Sequence, residues 1–430
     1  MPIRLCYWSA LLLLLLLGMH WSSVTASAQA APRPLLTDEA EVSILTIYPG
    51  PALHARFGHT AIRVADPLQA LDIVYNYGTF DFDSPIFIAT FIRGQLDYHL
   101  SVAPMDAALH HYQYVERRAV VEQALDLTPG ERERVFAYLR ENAREENREY
   151  RYRFLDDNCS TRVRDVFEDV LGDALRFDAA EPPLVTYRDK LSPYMADAPL
   201  LWLGMDLALG RPTDRSLGVR EVMFLPLPLM EVFDVATVTV DGETRQLVRE
   251  TRMLYWFDEA DEWPSGFAWP TWLAWGVLGL ALVVTWREAR QPGVAAVQRR
   301  RGAVLADALL LMVVGAGGLV MAGLWGATEH DVAGPNWNLW WAWPTHVVAA
   351  MALLRWPGGG PWLRRYLILT AAGAGVAALT SPWWPQSMPW AVLPVLLVLV
   401  LRAGWLGWSM TVSPIGGETA DTTLRSTSTA

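Results

Sequence analysis

Residues 157–162 read Asp157-Asn158-Cys159-Ser160-Thr161-Arg162 and set a cysteine at the predicted start of a helix. The helix is expected to run from there towards Leu171, with Gly172 as its stop. Unpaired N–H groups and the helix dipole at this end favour the thiolate form of Cys159. Cys159 is therefore a candidate nucleophile. A small buried apolar side chain is the alternative interpretation, and the polar residues on both sides speak against it.

A reactive thiol needs a nearby base, and His59 is the candidate. It lies in Phe57-Gly58-His59-Thr60, at the edge of a predicted strand, and a fold can bring it to Cys159 despite their separation along the chain. The other histidines in this half of the chain are expected to be surface or packing groups; they are His54, His99, His110 and His111. The adjacent pair among them lacks the further ligands that a metal site needs, so no metal is predicted.

The beginning of the chain has the features of an exported protein. Residues 1–30 are predicted to be a signal peptide, with Arg4, the apolar run Leu11–Leu17 and a small-residue stretch before the cleavage site. The sequence has two cysteines, and removal of this segment with Cys6 leaves Cys159 without a partner for an internal disulfide. The net charge of −11 does not suit a nucleic-acid partner.

Residues 31–264 are predicted to form one exported α+β domain, with a core of about 40–175 and an extension of 176–264. Strands are predicted at Val42–Tyr48, Thr60–Val64, Leu71–Tyr77 and Leu96–Val102. A capping box at Thr128 opens a helix that is expected to run to about Arg148. In the extension, Asp241-Gly242 predicts the turn of a hairpin. The extension has no assigned role: a lid, a docking surface for the membrane half and plain packing all remain open.

After about Pro264 the composition changes to five apolar stretches, which are Phe267–Trp286, Ala303–Gly326, Leu339–Leu354, Leu363–Thr380 and Pro389–Leu401. About 20 helical residues cross a hydrocarbon layer of ~30 Å. We therefore predict an all-α bundle of about five transmembrane helices over 265–408, followed by a disordered tail over 409–430. Arg402 is expected to reach the inner surface with its charged end.

The loops of this half predict its orientation. The segments 287–301 and 355–365 are rich in Arg, whereas 327–338 and 381–388 contain neither Lys nor Arg. The positive-inside rule puts the Arg-rich loops and the C-terminus in the cytoplasm. It puts 31–264 on the opposite side, where a signal peptide would deliver it.

Three segments of the exported domain are similar to the periplasmic domain of the Lnb-type bacterial lipoprotein N-acyltransferases; they are Phe57–Val64, Tyr75–Phe82 and Asp157–Asp165. In the membrane half, Glu329-His330 and Asn336–Trp341 resemble that family's first outer loop. More broadly, a strand-borne Gly-His, a second strand and a helix-borne Asn-Cys, in that order, resemble circularly permuted papain-like enzymes. That group contains the permuted NlpC/P60 and lecithin:retinol acyltransferase-like proteins. The resemblance implies a permuted papain-like periplasmic domain followed by the helical bundle.

The resemblance also implies roles for particular residues. Cys159 would be the acyl-accepting nucleophile and His59 its general base. Lecithin:retinol acyltransferases use a second His on the next strand, and Leu71–Tyr77 has none. Asn76 is the polar residue on that strand best placed to orient the imidazole, as Asn does in papain-like enzymes. An ordinary hydrogen-bonding residue at a strand end is the alternative for Asn76.

The predicted outer loop 327–338 crowds polar residues at the periplasmic face of the bundle. Glu329, His330, Asn336 and Asn338 are candidate substrate-binding residues, which would grip a lipid headgroup or the incoming lipoprotein terminus. A solvated loop with Trp anchors at the interface is the alternative.

The resemblance implies a multi-pass acyltransferase of the bacterial inner membrane. It would move a fatty-acyl chain from a phospholipid, through a thioester on Cys159, to the N-terminal amine of diacylated lipoproteins, without a cofactor. Two alternatives stay open: a periplasmic thiol peptidase or amidase that acts on cell-wall peptides, and a non-catalytic membrane binding or scaffold protein in which Cys159 is inert.

Overall fold

The computed structural model describes residues 35–80, 90, 92–95, 97–180, 184–256, 265–290, 295–356 and 360–412, with the backbone alone for 295–301 and 411–412. The predicted signal peptide lies outside these residues, as does the predicted tail beyond 412. The described residues form a sheet-based domain followed by a helical half.

Ten strands are described, which are β1 (Glu41–Ile47), β2 (His59–Asp66), β3 (Leu71–Thr79), β4 (Asp97–Pro104), β5 (Val120–Leu125), β6 (Glu149–Arg151), β7 (Leu175–Arg176), β8 (Thr237–Val240), β9 (Glu243–Gln246) and β10 (Val248–Tyr255). Seven of them form one antiparallel sheet in the order β10-β5-β1-β2-β3-β4-β6. The other three form a small sheet in the order β7-β8-β9. All four strands predicted in the core are confirmed, as is the hairpin at Asp241-Gly242; β5, β6 and β10 were not predicted.

Twelve α-helices are described, which are α1 (Met105–His110), α2 (Pro129–Asn142), α3 (Cys159–Leu171), α4 (Tyr187–Leu191), α5 (Pro199–Ala208), α6 (Val219–Val222), α7 (Pro226–Asp234), α8 (Trp269–Arg290), α9 (Ala295–Ala327), α10 (His346–Arg355), α11 (Pro361–Thr380) and α12 (Val392–Val412). The two helices predicted in the core are confirmed as α2 and α3. The predicted end of α2 at Arg148 is wrong, because the helix ends at Asn142 and the chain then turns into β6.

The large sheet is buried on both faces because its central strands alternate between two apolar layers. Ile44, Ile62 and Tyr75 belong to the main core beneath α2 and α3. Their chain neighbours on the same strands, Leu45 and Ala61 among them, belong to a second cluster with α1 and Tyr112. The sheet therefore holds α3, with Cys159 at its first turn, against the neighbouring strands β2 and β3.

The helical half contains four helices long and apolar enough to cross a membrane, within the residues that the structure describes; they span Trp269–Arg290, Gly302–Ala327, Pro361–Trp383 and Val392–Met410. The third predicted stretch, Leu339–Leu354, differs from expectation. It contains the end of a short turn and most of α10, whose ten residues extend about 15 Å. Of the about five transmembrane helices predicted, four are described as long apolar spans, and the third stretch contains one short apolar helix. The last helix, α12, continues to Val412.

The expectation that Arg402 reaches the inner surface is wrong. Its guanidinium lies buried between helices, where it donates to both carboxylate oxygens of Asp307 at 2.7 and 2.8 Å. It also bonds to Glu288 at 2.9 Å and to the hydroxyl of Thr285 at 2.7 Å. A complete set of partners on α8 and α9 makes the inward position favourable for this side chain.

Candidate active site

Cys159 is the first residue of α3, and Asn158 is the N-cap of that helix. The Asn158 side-chain oxygen accepts hydrogen bonds from the backbone N–H groups of Ser160 at 2.8 Å and Thr161 at 3.0 Å. Its amide nitrogen donates to the carbonyl of Phe154 at 2.8 Å and to that of Phe224 at 3.0 Å. These bonds fix the direction in which the helix leaves the loop, and so they fix the position of the thiol.

His59 is the first residue of β2, directly beside the N-terminus of α3. The imidazole lies beside the Cys159 thiol and acts on the pKa of that group through its charge and through hydrogen bonding. Its Nε2 atom lies 3.3 Å from the side-chain oxygen of Asn76 on β3. The same Asn76 oxygen accepts a hydrogen bond of 3.3 Å from the hydroxyl of Tyr112. The structure therefore brings together three residues that the sequence analysis singled out, and adds Tyr112 behind them.

The surroundings of Cys159 act on its charge in two directions. Burial raises the pKa of the thiol, whereas the charge and hydrogen bond of His59 lower it. The backbone N–H of Thr60 and the hydroxyl of Ser160 donate further hydrogen bonds that lower it. The balance brings the pKa of Cys159 below its ordinary value, so the thiolate is more populated near neutral pH than in a free cysteine.

A group of aromatic side chains lies near Cys159, and sequence reasoning missed them. Tyr98 and Tyr152 lie with ring centroids 4.5 Å apart, and Phe80 stacks on Tyr98 at 4.8 Å. Burial is the larger cause that raises the pKa of Tyr98 to about 12, and the charge of the nearby Cys159 acts in the same direction. The Tyr98 hydroxyl therefore stays protonated. The sequence contained one signal for them, because Tyr150 and Tyr152 are alternate residues at a strand and alternate residues face the same side of a sheet.

Tyr150 has the most unusual environment of this group. Its hydroxyl is buried and has no hydrogen-bond partner within the described part of the chain. The guanidinium of Arg162, held by Asp157 at 2.5 and 2.8 Å, covers the Tyr150 ring at 3.9 Å. A Cβ atom built on Gly78 would lie 3.6 Å from Cβ of Cys159 and 3.9 Å from the Tyr150 hydroxyl. The unpaired hydroxyl thus lies in the same small space as the thiol.

The outer-loop candidates are placed differently from the sequence expectation. Asn336 and Asn338 are only 3% and 1% exposed. The Asn336 amide donates to the carbonyls of Leu207 at 2.8 Å and Ala208 at 3.2 Å, and the Asn338 amide donates to Leu207 at 3.2 Å. Their oxygens accept bonds from within the bundle. Both side chains fasten α5 to the bundle, and neither is available to a substrate in this arrangement.

Glu329 also joins the two halves of the protein. Its carboxylate accepts hydrogen bonds of 2.7 Å from Arg151 on β6 and from Gln95, and its backbone N–H donates to the carbonyl of Arg93 at 2.7 Å. His330 follows at the same junction, where its backbone N–H would lie 2.7 Å from a Cβ on Gly94. These two residues lie against the strand that carries Tyr150, and they remain more exposed than the two asparagines.

No group of three or more His, Cys, Asp and Glu side chains among the described residues is arranged to hold a metal ion. The arrangement that is present combines a thiol of lowered pKa, an imidazole in contact with it and a side-chain amide behind the imidazole. Such a set can form and discharge a covalent acyl intermediate.

Comparison with known proteins covers both halves of the chain. Residues 30–192 match the Lnb N-terminal periplasmic domain, and residues 262–413 match the Lnb transmembrane domain. No curated protein and no solved structure matches the chain. The two matches lie in the same order as the sheet domain and the helical half described above. The chain is therefore an Lnb-type membrane protein, with a periplasmic domain followed by a transmembrane domain.

Proposed function

We propose that this protein is a membrane-bound N-acyltransferase that uses Cys159 and His59 to move a fatty-acyl chain from a phospholipid to the N-terminal amine of a diacylated lipoprotein. The observation that carries the proposal is the position of His59, at the start of β2, beside Cys159 at the N-terminus of α3, within an Lnb periplasmic domain. The Lnb family suggests the acyltransferase activity, and the site supplies the chemistry for it.

In the first half-reaction, His59 takes the proton of the Cys159 thiol. Because Nε2 already faces the Asn76 oxygen, we assign this task to Nδ1. The thiolate attacks the carbonyl carbon of a phospholipid ester and forms a C–S bond. The ester C–O bond then breaks, and the leaving alkoxide takes the proton back from the imidazolium. The products are an acyl-thioester on Cys159 and a lysophospholipid.

In the second half-reaction, the free α-amine of the lipoprotein attacks the thioester carbonyl. A C–N bond forms and the C–S bond breaks, which returns Cys159 to the thiolate. His59 accepts the proton that the amine loses. Conversion of a thioester into an amide is downhill, so the two half-reactions need neither a nucleotide nor a metal.

The tetrahedral intermediates carry a negative oxygen that needs hydrogen-bond donors. The N–H groups of Ser160 and Thr161 are already bound to the Asn158 cap, so they do not serve here. We assign the role to the backbone N–H of Cys159 and to the hydroxyl of Tyr150, which has no partner among the described residues and is therefore free to bind the oxyanion.

The transmembrane half fits this reaction because both substrates are anchored in the membrane by acyl chains. An enzyme in the same plane can react with them without extracting either one, and a peptidase acting on soluble peptides gains nothing from such a bundle. The thiol peptidase or amidase nevertheless uses the same dyad, so it is the rival that an experiment must exclude.

The test is the mass of the Cys159 peptide from protein purified from membranes, compared with His59→Ala and with His110→Ala as a matched histidine control at an exposed position. We expect a hydroxylamine-sensitive fatty-acyl adduct in the parent and in His110→Ala, transferable to the amine of a diacylated lipopeptide. His59→Ala should lack it. An unmodified Cys159, together with no acylation of the lipopeptide when phospholipid is supplied, would overturn the proposal. Hydrolysis of a cell-wall peptide by the same preparation would then establish the rival function.

A further inference from the structure

The helix α5 (Pro199–Ala208) belongs to the extension that had no assigned role, and it is apolar over nearly its whole length. One face remains uncovered: Leu200 is 58% and Leu201 44% exposed, and Gly204 on the same face is also exposed. Positions i, i+1 and i+4 share one side of a helix. Exposure of two adjacent leucines to water is unfavourable in free energy. The contacts of α5 with the rest of the protein therefore indicate what covers this face.

The N-terminal end of α5 lies where the first span begins. A Cβ atom built on Gly266 would lie 2.3 Å from the carbonyl oxygen of Ala196 and 3.1 Å from Cα of Asp197. Gly266 comes three residues before α8, whose first turn carries the exposed Trp269 and Trp272. Exposed tryptophans at the end of a span mark the interface of a membrane. The start of α5 is therefore at the depth of the interface.

The C-terminal end of α5 is held at the outer end of another span. The carbonyls of Leu207 and Ala208 accept the hydrogen bonds of Asn336 and Asn338 described above, in the loop that follows α9. The α5 helix also contacts both α8 and α9. Because both of its ends are fixed to the outer ends of membrane-spanning helices, α5 lies along the membrane surface instead of projecting from it.

A buried charged cluster prevents α5 from moving away. Arg188 on α4 bonds to the carboxylate and carbonyl of Asp206, near the end of α5. The same guanidinium bonds to Asp214 at 2.9 and 3.0 Å and to the carbonyl of Leu209 at 3.0 Å. Both Arg188 and Asp206 are buried. A buried network with every partner in place is rigid, and so it fixes the depth of the exposed face.

We propose that α5 is an interfacial helix whose Leu200, Leu201 and Gly204 face lies among the lipid acyl chains of the leaflet on the periplasmic side. The occupant of this face is lipid because α5 contacts α8, whose exposed apolar side chains the membrane covers. Helices of this kind insert their apolar side about 5–10 Å below the headgroups.

The position of α5 links the leaflet to the thiol. Asp197, two residues before α5, forms an ion pair with Arg56, and Arg56 lies three residues before His59. The ring of Phe57 packs on that of Tyr194 at 5.7 Å. Insertion of α5 thus fixes the height of the strand that carries His59 above the lipid surface. This inference concerns the seating of the domain and does not depend on acyl transfer.

The experiment measures the depth of a spin label on α5. Both cysteines are replaced by serine, and single cysteines are introduced as Leu201→Cys and Gly204→Cys; a Cβ at Gly204 meets nothing within 4 Å. The full chain is labelled and reconstituted in vesicles of phosphatidylethanolamine and phosphatidylglycerol. Collision of the label with oxygen, which concentrates in lipid, is compared with collision with a water-soluble nickel chelate.

Two further positions serve as matched controls. Leu280→Cys reports the lipid-facing surface of α8, where the side chain is 64% exposed, and Val240→Cys reports the exposed hairpin. We expect the ratio of oxygen to nickel collisions at both α5 positions to approach that of Leu280→Cys and to exceed that of Val240→Cys. A ratio equal to that of Val240→Cys would place α5 in water. Protection from both reagents would place another protein surface over it. Either result would overturn the proposal.

Discussion

The side-chain oxygen of Asn76 lies 3.3 Å from Nε2 of His59. Because an amide oxygen only accepts hydrogen bonds, this contact favours the tautomer in which Nε2 carries the proton and Nδ1 is free. The Tyr112 hydroxyl donates to the same oxygen from the other side and keeps the Asn76 amide in this orientation. In the proposed mechanism, this arrangement leaves Nδ1 available to receive the proton of the Cys159 thiol.

Removal of this contact should slow acylation without unfolding the domain. In Asn76→Ala the imidazole loses its orientation, and we expect the rate of lipopeptide acylation to fall by roughly 10²-fold, as for other small misplacements of a catalytic group. Tyr112→Phe keeps the amide and should have the smaller effect. Single-turnover acyl transfer on purified variants measures both. Equal rates in Asn76→Ala and the parent would leave Asn76 as an ordinary hydrogen-bonding residue.

The pH dependence of thiol alkylation should report the pairing of Cys159 with His59. The lowered pKa means that alkylation persists below the range of a free cysteine, whose pKa is about 8.5, and declines only as the pH falls through the lower value. In His59→Ala the stabilising charge and hydrogen bond are lost while burial remains. The profile should therefore move to higher pH. His110→Ala should leave it unchanged, and a profile shared by all three proteins would contradict the pairing.

Tyr150→Phe should separate the effect of the buried hydroxyl on stability from its proposed role in catalysis. A buried hydroxyl without a partner costs about 1–3 kcal/mol, so its removal is expected to maintain or raise thermal stability. If the hydroxyl donates to the oxyanion, the same substitution lowers the rate of acylation by about 10²-fold. The two readouts are a melting curve in detergent and single-turnover transfer. A more stable variant with full activity would remove Tyr150 from the mechanism.

Gly78→Ala tests the space beside the thiol. Gly78 has a φ of +91°, and Gly242 in the hairpin has a φ of +85° with nothing within 4 Å of an added Cβ. Both alanine substitutions carry a similar backbone strain of about 1–2 kcal/mol. Only Gly78→Ala adds a methyl group 3.6 Å from Cβ of Cys159. We expect similar melting temperatures and a loss of acylation in Gly78→Ala alone; equal activity would show that substrate does not occupy this space.

The sequence was sufficient for the local structure of the core. The turn residues between apolar runs predicted β1 to β4, and Asp157-Asn158-Cys159 predicted the start of α3, because both signals depend on neighbouring residues. It was not sufficient for β5 and β10, because these strands depend on long-range pairing: β5 pairs with β1, and β10 pairs with β5. The pairing of Cys159 with His59 was predicted from residue type and supported by the family resemblance, which also pointed to Asn76, whereas no local rule would have supplied Tyr112.

The outer loop shows a second limit of sequence reasoning. Polar residues in a membrane loop suggest ligand binding. The side-chain amides of Asn336 and Asn338 instead donate hydrogen bonds to backbone carbonyls at the end of α5. These carbonyls need side-chain donors because the last carbonyls of a helix have no partner within it, and burial against the bundle excludes water from them. That requirement is invisible until the neighbouring segment is known.

The buried bonds of Arg402 bear on how the chain enters the membrane. A charged side chain without partners is costly inside a membrane-spanning helix, and Arg402 lies on α12, which follows α8 and α9 along the chain. Its partners Glu288 and Asp307 lie on α8 and α9, the first two. We therefore expect α8 and α9 to present an acidic acceptor onto which α12 docks as it enters the bilayer. A chain truncated before α12 would leave Glu288 and Asp307 without this partner.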